Sequence, residues 1–145
     1  MKSWSRASAT FGIGYAVATA VGWVTFTRPV LMWGLTFTLM PIVFAVLAWW
    51  YFAGTRPAPR ESTREAIKLA LFWVAISFVM DALVFIVVIP LAFGARANWT
   101  FFIDQSPWIW LCYATLVPIV FCGRYVYRKR QLRSAPSVIA GEQPA

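Results

Sequence analysis

Residues 66–93 read AIKLALFWVAISFVMDALVFIVVIPLAF. Coiled into a helix at about 1.5 Å per residue, this run exceeds the roughly 30 Å hydrocarbon thickness of a bilayer. Past Lys68 it holds one ionisable side chain, Asp81. A run so long and so apolar is read as a membrane span. Three more runs meet the same length requirement: Phe11–Thr27, Val30–Phe52 and Pro107–Val126. Composition agrees, since 61% of the 145 residues are hydrophobic and 12% are charged, against about a quarter charged in an ordinary soluble domain. The predicted fold class is an all-α integral membrane protein. Residues 1–133 are expected to form a compact four-transmembrane-helix bundle, and residues 134–145, small, polar and proline-containing, a disordered cytoplasmic tail.

The first run is the weakest span. Lys2 and Arg6 ahead of an apolar stretch and Ala18-Thr19-Ala20 imitate a secretory leader. Glycines interrupt that stretch and Pro29 opens another span at once, so it is read as a retained helix. Pro29 and Pro107 suit first-turn positions, where a missing N–H costs nothing. Ser62 and Glu65 have the spacing of a capping box, which predicts a third helix starting near Thr63. Gly12, Ala16 and Ala20 form one small-residue series on span one, and Gly14, Ala18 and Gly22 another. Small residues let helix backbones approach in lipid, so this helix is expected to touch neighbours on two sides.

Basic residues set the orientation. The net charge is +8, which taken alone would also suit a nucleic-acid partner. Its distribution excludes that reading: eleven of the thirteen basic residues lie before span one, between spans two and three, and at the end of span four, against Arg28 and Arg96 elsewhere. Basic loops are retained in the cytoplasm, so both termini and the central loop are predicted to be cytoplasmic and the protein to reside in the cell (inner) membrane. Arg56, Arg60, Arg64, Arg128, Lys129 and Arg130 are the expected contacts for anionic lipid head groups. Trp4, Trp49, Trp50, Tyr51, Trp73, Tyr125 and Tyr127 fall at the inner span ends, where amphipathic rings prefer to sit, and Trp23, Trp33, Trp99, Trp108 and Trp110 at the outer ones.

Much chemistry has no residues to carry it. The chain has no histidine, which removes histidine metal sites and Ser-His-Asp or Cys-His nucleophile systems. Cys112 and Cys122 lie about 15 Å apart along one helix, beyond disulfide reach. No catalytic residue, metal site or cofactor is assigned.

Asp81 is the informative residue. A carboxylate at the bilayer centre costs about 2.5–3.5 kcal/mol on insertion scales, so it must face the bundle interior or carry a proton. On one helical stripe it shares a face with Ser77, Val74, Trp73 and Ala70. Counting inward from the span ends places Thr19, Thr38 and Thr115 at similar depth, so Asp81, Ser77 and these threonines form the candidate intramembrane site, with Tyr15 and Tyr113 as further candidates. Spans two and four share a local match: residues 38–44, TLMPIVF, return as TLVPIVF at 115–121. Each carries a proline that frees a carbonyl, at Phe37 and Ala114, and kinks are expected near Pro41 and Pro118.

Four spans in a chain of this length resemble the small multidrug resistance transporters in architecture. Those proteins carry their essential acid in the first span, which has none here, so the resemblance assigns Asp81 no role. Two functions fit the residues. One is a non-enzymatic accessory, assembly or lipid-interacting protein, packed against a membrane-protein partner or its own copies. The other is an oligomeric proton- or cation-coupled small-molecule transporter using Asp81.

Overall fold

In the computed structural model the described residues are 1–134, and they are helical, with no strand among them. Of the tail expected at residues 134–145, Ser134 closes the last described helix and residues 135–145 lie outside the described residues. Four helices are long and apolar enough to cross a membrane: α1 (Trp4–Thr25), α2 (Pro29–Thr55), the continuous rod Glu61–Ala92, and the final helix, Trp108–Ser134. The rod comprises α3 (Glu61–Asp81), a π-helical segment (Ala82–Val88) and a last turn, α4 (Ile89–Ala92). A short α5 (Phe101–Asp104) sits in the loop before α6 (Trp108–Ser134).

The first helix begins seven residues ahead of the expected span because Ser3 caps it, its hydroxyl accepting the Arg6 N–H at 3.3 Å. Inside it, Thr10 donates its hydroxyl to the Arg6 and Ala7 carbonyls, which lets a polar side chain be fully buried. The capping box expected at Ser62 is not formed. Helix α3 starts at Glu61, the Ser62 hydroxyl donates to the Pro59 carbonyl at 2.9 Å, and Glu65 turns inward to other partners. A buried donor on a neighbouring helix outcompeted the local cap.

Around the bundle α1 packs on α2, α2 on α6, α6 on α3, and α3 returns to α1. At Gly123 the backbones of α6 and α2 meet closely: a methyl group there would lie 2.6 Å from Ala48 Cβ and 2.8 Å from the Ala45 carbonyl oxygen. The apolar core occupies the half of the bundle near the N-terminus, around Phe11, Phe44, Tyr51, Phe52, Trp73 and Val120. Trp73, Tyr51 and Tyr127, expected at the membrane interface, are therefore core residues, Trp73 with its indole N–H on the Ala7 carbonyl at 3.3 Å. Trp4, Trp50, Trp23, Trp99, Trp108 and Trp110 are exposed at the helix ends and in the loop.

The two small-residue series of α1 behave differently. Gly14 is buried against Phe44 and Leu47, with Ala18 and Gly22 half-buried beyond it, whereas Gly12, Ala16 and Ala20 face outward. Within one chain α1 thus uses one of its two small faces. The matched segments of α2 and α6 also diverge: Thr38 is exposed while Thr115 is half-buried, and Phe44 is buried while Phe121 is half-buried.

Candidate functional site

Asp81 closes α3 and is buried. Its Oδ1 accepts the Tyr15 hydroxyl at 2.8 Å and its Oδ2 the Tyr113 hydroxyl at 2.7 Å. One carboxylate therefore ties α1, α3 and α6 together. Interhelical bonds of this kind contribute about 0.6–2 kcal/mol each in membranes. The long phenol side chains reach the acid from neighbouring helices, whereas two of the three candidate threonines turn back on their own backbones: Thr38 donates to the Gly34 carbonyl at 2.7 Å and Thr115 to that of Cys112 at 2.8 Å.

Ser77, Thr19 and Thr115 nonetheless share a space with Asp81, a cavity of about 700 Å³. Thr38 does not line it. Two residues away, and about 200° around the helix, Thr36 does. The cavity floor is Asp81 with Ser77, Met40, Phe44 and Leu116, and its walls rise to Trp23, Phe26, Trp33 and Phe93 at the opposite end of the bundle from the N-terminus. Gln105 and Phe101 enter from the loop. The half of the bundle near the termini is packed, and the other half is hollow.

Local backbone explains part of that opening. The widened π turns begin directly after Asp81 and redirect the residues that follow, among them Phe85 and Ile89 on the cavity wall. Pro90 offers no N–H to the carbonyl of Ile86, which accepts instead the Asn98 N–H from the loop at 2.9 Å. This pins the loop back on the rod. Phe101 stacks on Phe85 at 5.1 Å between ring centroids, and Phe102 on Phe78 at 4.9 Å, so the Phe101-Phe102 pair covers the rod.

At the end of the bundle near the N-terminus, the six expected lipid contacts, Arg56, Arg60, Arg64, Arg128, Lys129 and Arg130, are all exposed, with Arg130 4.7 Å over the Trp49 ring. Sequence reasoning missed a second buried acid there. Glu65 accepts the Tyr51 hydroxyl at 2.5 Å and the Lys2 backbone N–H at 2.6 Å. Four-residue steps from Asp81 through Ser77, Trp73 and Leu69 lead to it along a buried stripe that winds around the helix by about 40° per step. Nearby, Arg124 donates to the hydroxyls of Ser62 at 3.0 Å and Thr63 at 2.6 Å, joining α6 to α3.

These features define a class: an all-helical chain with four helices able to span a membrane, packed at one end and enclosing an acid-floored cavity at the other. Compared with known proteins, the chain matches no family profile, no curated protein and no solved structure.

Proposed function

We propose that this chain is a multi-pass protein of the cell membrane, with both termini cytoplasmic, that works as an oligomer to move a small molecule coupled to a proton or cation at Asp81. The observation that carries the reading is the cavity, which leads from the helix ends to that carboxylate. An acid sealed between helices would only hold them together; one that floors an open space can meet a solute. Because Tyr15 and Tyr113 grip the same carboxylate, loading it changes contacts to α1 and α6 at once. The outward small-residue face of Gly12, Ala16 and Ala20 suits assembly with further copies. Pro41 lines the same cavity, and a kink there, with a second at Pro118, gives α2 and α6 points of flexure.

The test is proton flux into liposomes containing the native protein or Asp81→Asn. A pH gradient is expected to drive flux in the native protein and not in the variant. Equal flux from a folded variant overturns the proposal.

A second reading, an accessory or assembly protein, draws on the outward face of Gly12, Ala16 and Ala20 and on the exposed basic residues at the N-terminal end. There the small face packs on a partner or a second copy, and the arginines hold anionic head groups. Absence of any flux dependent on Asp81 favours it.

A further inference from the structure

The cavity pairs a buried carboxylate with aromatic walls, and we infer that its ligand is a protonated amine with a flat apolar body, the ammonium seated on Asp81 and the body among the rings. This takes from the transport reading that the Asp81 cavity is the binding site, and adds the chemistry that fills it.

Charge comes first. No lysine or arginine lines the cavity, and the two phenols that bind Asp81 are dipoles, not cations. A buried carboxylate costs several kcal/mol until a positive charge approaches it. An anionic ligand adds a second negative charge in a low dielectric, and a neutral one leaves the first uncompensated. Among the described residues no cluster of acids or thiols could hold a metal ion, and a single carboxylate is far short of the six to eight oxygens a calcium ion requires. The complementary charge is thus monovalent, and beyond the proton that Asp81 can carry, the apolar aromatic walls favour an organic cation over a hydrated inorganic one.

Hydrogen bonding narrows the class. Each Asp81 oxygen takes one phenol proton and retains acceptor capacity. An amine that keeps an N–H uses that capacity in a charge-assisted bond, roughly twice as strong as a neutral one, which a quaternary nitrogen cannot form. Shape completes the argument. Trp23, Trp33, Phe85, Phe93 and Phe101 wall the space above the acid, where ring faces attract a cation and stack on a flat body. A cavity of about 700 Å³ lies within the usual range for small-molecule sites.

The test uses the whole protein in nanodiscs of zwitterionic lipid, with empty discs subtracted, titrated calorimetrically with phenylbutylammonium, phenylbutanol and phenylbutyrate. These probes share one body and differ in charge. The ammonium is expected to bind saturably and at least about tenfold more tightly than the alcohol or the carboxylate, a preference that Asp81→Asn abolishes. Phe101→Leu leaves the Asp81 clasp in place and is expected to weaken ammonium binding about two- to fivefold, which keeps the inference testable should the Asn variant not fold. Equal binding of alcohol and ammonium, a trimethylammonium analogue as tight as the primary amine, or a preference that survives Asp81→Asn overturns the inference. Lack of ammonium binding beside proton flux that depends on Asp81 removes the ligand class and leaves the transport reading standing. Ammonium binding that depends on Asp81 without such flux does the reverse.

Discussion

Removing the Tyr113 hydroxyl takes one of two donors from a carboxylate that has no cation beside it. Tyr113→Phe is expected to lower stability by about 1–2 kcal/mol, since a buried acceptor is left short of a partner. The same substitution in an Asp81→Ala background should cost much less, because the group needing the donor is gone. Chemical unfolding of the two single variants and the double variant forms a cycle that measures this coupling, and additive losses would show that the clasp contributes nothing. Asp81 stood out in the sequence as the residue to test, and the structure places Tyr15, Thr19, Ser77, Tyr113 and Thr115, chosen by depth, on the same cavity. Azimuth was not legible. Thr38 lies at a suitable depth on the wrong side of α2, and Thr36 stands in the cavity instead, because each residue turns the helix by about 100° and hydropathy in lipid marks no inner face.

At the scale of the elements, small residues matter by what they touch. Gly123 meets backbone atoms of α2 as well as the Ala48 side chain, so Gly123→Ala must push two helices apart and is expected to cost about 1–3 kcal/mol. Gly12 has nothing within 4 Å, so Gly12→Ala should stabilise the isolated chain by up to about 1 kcal/mol through helix propensity. Thermal unfolding of the two variants in detergent checks the contrast, and equal losses would contradict the packing described. Sequence reading found the small-residue spacing in α1 but passed over Gly123, which lies in no such series and is recognisable only once Ala45 and Ala48 are seen opposite it. The helices themselves were legible as long apolar runs. The π turns after Asp81 were not, although Pro90, which denies Ile86 its usual donor, marked the place where the rod departs from regular geometry.

The whole molecule is asymmetric along its axis, with aromatic packing from Tyr51 to Phe44 at one end and the open cavity at the other. Hydropathy could not reveal this, because lipid-facing and core-facing side chains are alike apolar in a bilayer. The asymmetry has meaning only if every copy points the same way, and the charge distribution argues that it does. Eleven basic residues gather at the packed end, against Arg28 and Arg96 at the cavity end. On the proposed orientation, with basic loops retained in the cytoplasm, the packed end is expected inside and the cavity is expected to face outward. Single cysteines test this in a chain whose Cys112 and Cys122 have been replaced by alanine. Asn98→Cys, at the cavity end, should react in intact cells with a maleimide that cannot cross membranes. Thr63→Cys, at the packed end, should react only after the cells are opened. Partial labelling of both in intact cells would mean copies inserted in two orientations, and a cavity with a fixed outward mouth would then be excluded. Moving two or three arginines from the segment 56–64 to the 94–100 loop should produce that mixture, since the bias counts charges near the span ends and not the fold they enclose.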